Sequence, residues 1–140
     1  MKNIVIITPV YNDWESFTKL INEINEVLSE FKDISFSLIA INDGSKEKAP
    51  SLSLPSHLKI IEILNMRINQ GHAICIANGI KYALKNYQFD NLILMDADGE
   101  DRPEEISDLI NKAKELQNVS VVAKRVKRSE GPIFTFFYSL

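Results

Sequence analysis

The stretch Leu92-Ile93-Leu94-Met95-Asp96-Ala97-Asp98-Gly99-Glu100-Asp101-Arg102-Pro103-Glu104-Glu105 decides how the rest of the chain is read. Its apolar start is too short for most helices and reads as a buried strand, halted at Asp96 where carboxylates begin and Gly99 and Pro103 announce a turn. Asp96, Asp98 and Asp101 therefore crowd the tip of a strand. Anionic groups this close repel one another unless a cation or a set of donors sits between them. A hard divalent ion such as Mg²⁺ resolves the repulsion. It takes one or two carboxylates and completes its shell with water and substrate phosphate oxygens, so a sparse Asp-x-Asp suits it better than a full cage of side chains. The expected substrate carries phosphate. An acidic turn with no ligand is the plain alternative, since Asp-x-Asp alone is weak evidence. Its position weighs against that alternative: in open α/β sheets ligands bind beyond the carboxyl ends of the strands.

Working outward, the run Ile4-Val5-Ile6-Ile7 is β-branched and apolar at every position, which implies burial on both faces, as in a parallel sheet covered by helices. Pro9 is expected to end this strand. Trp14, Phe17, Leu20, Ile21, Ile24, Val27, Leu28 and Phe31 recur at spacings of three and four, predicting a long amphipathic helix whose apolar stripe, Trp14 included, is core. Phe36 to Ile41 is a second strand, ending in the turn formers Asn42-Asp43-Gly44-Ser45. Lys46 to Ser56 predicts an irregular connection with one short helical turn, and Lys59 to Leu64 a third strand nearer the sheet edge. After Gly71 a helix is expected to bury Ala73, Ile76, Ala77, Ile80, Ala83, Leu84 and Tyr87. Pro103 falls in the first turn of a further helix, with Ile106, Leu109, Ile110, Ala113 and Leu116 buried, and residues 119–123 give a fifth strand. The whole reads as a doubly wound, mainly parallel α/β sheet with helices on both faces. The polar turns after strands one, two and four then share one rim, bringing Tyr11, Asn12, Asp13, Asp43, Asp96 and Asp98 together.

The 140 residues suit one domain, and 45% hydrophobic with 25% charged content is ordinary for a globular chain able to bury a core. A formal net charge of −3 offers no broad basic surface, so nucleic acid is not an expected partner. Cys75 is the one cysteine, so no internal disulfide can form; its place in a helical apolar pattern makes it a buried small residue, consistent with a reducing compartment. No apolar run is long enough for a signal peptide core or a membrane span.

Thr8-Pro9-Val10-Tyr11-Asn12, Asn42-Asp43-Gly44-Ser45, Asn69-Gln70-Gly71, residues 96–104 and Arg125-Val126-Lys127-Arg128 together resemble the inverting family 2 glycosyltransferases of GT-A fold. The nearest look is the dolichyl- or polyprenyl-phosphate sugar synthase branch. The resemblance spans essentially the whole chain in the right order. It implies a nucleotide-sugar site made by Pro9, Tyr11, Asn12, Asp13, Asp43, Gly71, Asp96, Arg125 and Arg128, with Asp43 toward the base and Asp96 toward the ribose or diphosphate. Family members often carry Glu where Asp13 stands. Asp98, with Asp96, matches the carboxylates that bind Mg²⁺ or Mn²⁺ on the diphosphate, and Asp98 and Asp101 are the expected catalytic positions. The implied reaction is a single displacement at the anomeric carbon of a UDP- or GDP-sugar. Its acceptor is a lipid phosphate such as polyprenyl phosphate, or a glycan, in envelope glycan or lipid-linked sugar synthesis on the cytoplasmic side. Arg125 and Arg128 offer guanidinium forks to the same phosphates, a solvated basic surface being the alternative.

Two other classes with a similar layer, the sugar-phosphate nucleotidyltransferases and the NAD-dependent dehydrogenases, open with a glycine-rich loop after the first strand, and residues 8–12 have none. A non-catalytic nucleotide-sugar-binding or scaffolding module stays open. Residues 1–123 read as the nucleotide-sugar-binding domain and 124–140 as a basic, then aromatic tail. That tail leads to an acceptor region beyond it, lies on a membrane surface, or folds back on the sheet. The expected base for an acceptor hydroxyl lies in that later region, so this segment is expected to bind donor and not to complete transfer alone.

Overall fold

The computed structural model of the protein describes residues 2–116. The elements run β1 (Asn3–Val10), α1 (Trp14–Leu28), β2 (Ser35–Asn42), β3 (Leu58–Asn65), α2 (His72–Asn86), β4 (Asn91–Leu94) and α3 (Glu105–Glu115). Among the described residues every strand pairing is parallel and the sheet order is β3-β2-β1-β4, with β3 at an edge as its mixed composition predicts. The chain forms two compact units, residues 1–107 and 108–140. The sheet belongs to the first, and the described part of the second is the later part of α3. The expected fifth strand, the boundary at 123/124 and the basic and aromatic tail lie outside the described residues.

Residues 4–7 of β1 and 38–41 of β2 are each 0–2% exposed, which is why neither strand alternates in polarity. Val5, Ile7, Ile39 and Ile41 share one face with Cys75 and Ala83 of α2. The chain steps from β1 to β2 in one direction and from β3 back across to β4 in the other. With right-handed crossovers the two connecting helices fall on opposite faces, leaving the face of Ile4, Ile6 and Leu38 to α1, which buries Phe17, Ile21 and Ile24. Trp14 is core, as expected, and its indole N–H donates to the Glu47 carbonyl at 3.2 Å. Phe31 lies past the end of α1 and meets Phe36 edge-on at 5.9 Å.

Pro9 does not end β1; it lies within it. The Asn3 and Ile7 carbonyls accept from Asp90 and Met95 on the β4 side, whereas Lys2 and Val10 accept from Ser35 and Asp43 on the β2 side. Alternation turns Pro9 toward β4, which has already stopped, so its missing N–H breaks no ladder bond.

The buried line of α2 is Cys75, Gly79 and Ala83, and Ala73, Ala77 and Leu84 are exposed, contrary to the expected stripe. A Cβ on Gly79 would come within 2.8 Å of Ile7 Cγ2, so the helix lies too near the sheet for larger side chains on that line. Leu84, 68% exposed, is turned away. Residues 43–57 connect β2 to β3 without a helix. β4 is less enclosed than expected, with Leu94 46% exposed. Pro103 and Glu104 form a turn and α3 starts at Glu105, burying Ile106 and Ile110 but leaving Leu116 44% exposed.

Candidate functional site

β1 is the point where the winding reverses, with β2 on one side and β4 on the other, and such switch points open a crevice beyond the strand ends. A cleft of about 250 Å³ lies there. Its walls are Pro9, Val10, Tyr11 and Asp13 after β1, Asp43 after β2, His72 at the head of α2, and Asp96, Ala97 and Asp98 after β4. Four carboxylates face it, and among the described residues no lysine or arginine lines its wall.

Each loop is held by its own polar side chains. Asp13 caps α1, its Oδ1 accepting the Ser16 N–H at 3.0 Å. Asn12, at φ 55°, ties two loops together: its N–H donates to Ser45 Oγ at 2.9 Å and its Oδ1 accepts the Lys46 N–H at 2.8 Å. Asp43 is 4% exposed, and its two oxygens accept the Gln70 and Gly71 N–H groups at 2.8 and 2.9 Å, fixing the entry to α2. Gly44, at φ 71°, allows that loop to close, since a Cβ there would sit 2.7 Å from the backbone of Ile68 and Asn69.

On the β4 side, the Asp96 N–H donates to Asp101 Oδ2 at 2.7 Å and the Glu100 N–H to Asp98 Oδ1 at 2.9 Å. His72 Nε2 meets Asp96 Oδ1 at 2.5 Å; with the carboxylate ionised, the ring N–H is the donor. Cys75, one turn into α2, is fully buried, and its thiol is pushed up to about 12, by burial first and then by the Asp43 carboxylate. It is an inert core residue.

Of the residues expected from sequence, the fold brings Pro9, Tyr11, Asp13, Asp43, Asp96 and Asp98 to the cleft wall. Asn12, Gly71 and Asp101 stand behind it as loop supports, and Arg125 and Arg128 lie outside the described residues. Val10, Ala97 and His72 were not anticipated. His72 had a readable signal: it follows Gly71 at a helix start on the rim that the carboxylates share. Among the described residues no three His, Cys, Asp or Glu side chains converge to hold a metal ion unaided. Asp98 is nevertheless suited to a shared ion, being exposed and, among the described residues, engaged through Oδ1 alone.

A parallel, doubly wound sheet with helices matches the α/β arrangement of GT-A-like glycosyltransferases. The solved structure of S. aureus TarS (residues 1–349) has the same fold, with a TM-score of 0.56 and 21% identity over 82% of this chain and 33% of that one. The chain belongs to glycosyl transferase family 2, whose model matches residues 5–139. It is 34% identical over 132 residues to the glycosyltransferase YkcC of Bacillus subtilis, covering 92% of this chain and 39% of that protein. A glycosyltransferase of Synechocystis sp. is 32% identical over 127 residues, covering 89% of this chain and 38% of that protein. The undecaprenyl-phosphate 4-deoxy-4-formamido-L-arabinose transferase of Salmonella choleraesuis is 30% identical over 119 residues, covering 82% and 35% respectively. The chain thus spans somewhat over a third of the length of the curated relatives it matches. Among the described residues no helix is long and apolar enough to cross a membrane.

Proposed function

We propose that this chain is the donor-binding part of a glycosyltransferase that takes a sugar from a UDP- or GDP-sugar and transfers it with inversion. The observation that carries the reading is the cleft at the β1/β4 switch point, where Asp13, Asp43, Asp96 and Asp98 face one space. Asp13 and Asp43 border its β1–β2 side, where the nucleoside lies. Asp96 and Asp98 border its β4 side, where the diphosphate lies.

Asp98, with Asp96 beside it, would hold Mg²⁺ or Mn²⁺ against the diphosphate. Such an ion supplies Lewis-acid stabilisation of the departing phosphate charge. The donor set fits: one open carboxylate oxygen, a second carboxylate two residues away, and room for water and phosphate oxygens. Without a cation, four carboxylates would repel a diphosphate. The chain's own contribution is to hold the donor with its anomeric carbon open. An acceptor oxygen forms its bond there on the face opposite the departing nucleoside diphosphate, which leaves with the bonding pair. A hydroxyl acceptor must also give up a proton to a base; an ionised phosphate acceptor need not.

The relative named as an undecaprenyl-phosphate sugar transferase supports a lipid phosphate acceptor for the whole protein. It would then work at the cytoplasmic face of a membrane. Calorimetric titration with UDP and GDP, with and without Mn²⁺, tests the donor reading. Metal-dependent binding is expected, and Asp98→Ala should weaken it at least about tenfold, the loss of one charged ligand. Binding unchanged in Asp98→Ala refutes the metal assignment.

A further inference from the structure

Among the described residues, His72 is the one side chain of the cleft wall that can become a cation, and it is committed to Asp96. His72 is the first residue of α2, immediately after Gly71, whose N–H is anchored by Asp43 Oδ2 at 2.9 Å. A continuous set of contacts therefore crosses the cleft's rear wall from Asp43 after β2, through the head of α2 and the His72 ring, to Asp96 Oδ1 after β4. Asp96 is pinned twice, through its N–H to Asp101 and its Oδ1 to His72. One carboxylate oxygen, Oδ2, is left for a ligand.

We infer that His72 is a positioning residue of the donor site, fixing the Asp96 carboxylate so that it presents a single oxygen to the bound nucleotide. The inference rests on the donor reading above. It assigns the two acidic residues unlike tasks. Asp96 becomes a directed acceptor, matched to a ribose hydroxyl or one metal-bound water, while Asp98 keeps the freedom to meet an ion directly. Removing the imidazole frees Asp96 to rotate toward Asp98, and two mobile carboxylates then repel each other and the diphosphate. The contact is exposed on one side, with side-chain accessibilities of 56% for His72 and 37% for Asp96, so its loss changes ligand geometry more than fold stability.

The test is calorimetric titration of UDP and GDP with Mn²⁺ against wild type, His72→Ala, His72→Gln, Asp96→Ala and the His72→Ala/Asp96→Ala double variant. His72→Ala should bind about tenfold more weakly, the scale of one charge-assisted hydrogen bond at a half-exposed site. His72→Gln, whose amide reaches the Nε2 position, should recover to within about threefold. The double variant should bind no worse than Asp96→Ala alone, because a residue acting through another has no effect once that other is gone. In the ligand-free protein, nitrogen-15 spectra should report the His72 ring protonated at Nε2, with that signature shifted in Asp96→Ala. Wild-type binding with no loss in His72→Ala, or losses that multiply in the double variant, overturns the positioning role alone. Wild type that binds neither nucleotide overturns the donor reading and the role resting on it, whatever the ring spectra report.

Discussion

Asp43→Asn preserves shape and removes one acceptor, which makes it a sharp probe of how the cleft is held. The native carboxylate accepts the Gln70 and Gly71 N–H groups at 2.8 and 2.9 Å, one on each oxygen. An amide can accept only one of them and turns its own NH₂ onto the other. A hydrogen bond to a charged acceptor contributes about 1.5–3 kcal/mol, and a donor left unpaired away from water costs about 1–3 kcal/mol. Asp43 is 4% exposed, so water does not step in readily, and the expected loss is about 3 kcal/mol. In urea, with a slope of about 1.5 kcal/mol per molar, the unfolding midpoint should fall by about 2 M. Nucleotide affinity should fall further than the stability loss alone explains, because the head of α2 carries His72 into the cleft. Circular dichroism in urea and calorimetry on the same samples make the comparison. A midpoint shift below about 0.5 M would refute the reasoning, since it would mean the two N–H groups find other partners.

Two glycines on the same rim should respond differently to alanine. Gly44→Ala places a methyl 2.7 Å from backbone atoms that cannot swing aside and should cost about 3 kcal/mol or more, whereas Gly99→Ala, at φ 83° with open space around it, should cost only about 1 kcal/mol. Urea midpoints of both variants check this, and equal losses would sink the close-approach argument. Cys75 should resist thiol reagents in the native protein at pH 8. Its folded pKa, raised to about 12 from 9.0, lies above the unfolded value, so the unfolded chain ionises first; the stability contribution is intact below pH 9 and declines from pH 9 to 12. Cys75→Ala should show a shallower alkaline loss than wild type, and identical slopes would count against the burial of this thiol.

The sequence carries burial on both sheet faces openly, because the runs at 4–7 and 38–41 leave no polar position for solvent, and that alone selects a parallel layer with helices on both sides. The rim followed, since strand ends in such a layer converge. What stayed hidden depends on pairs distant along the chain. Pro9 is tolerated within β1 only because β4 stops at Leu94, a fact about another strand's length. The rotation of α2 is set by how near Gly79 comes to Ile7, which periodicity cannot weigh against the larger apolar surface of Leu84. His72 and Asp96 meet across a separation of 24 residues.

The rim's polar residues posed the harder problem, because capping a backbone and gripping a ligand call on the same side chains. Asp13, Asp43 and Asp101 each read as ligand groups in sequence, yet in the fold each spends oxygens on nearby N–H groups. Counting oxygens separates the two uses. Asp43 has both engaged by backbone, whereas Asp96 and Asp98 each give one, to His72 and to the Glu100 N–H, and of these two Asp98 is the more exposed. The order Asp43, Asp96, Asp98 is thus one of increasing freedom to meet a cation. On the donor reading proposed above, a diphosphate would approach the acid rim of the described residues where that freedom lets a metal enter, and the reading therefore turns on Asp98 more than on the number of carboxylates around it.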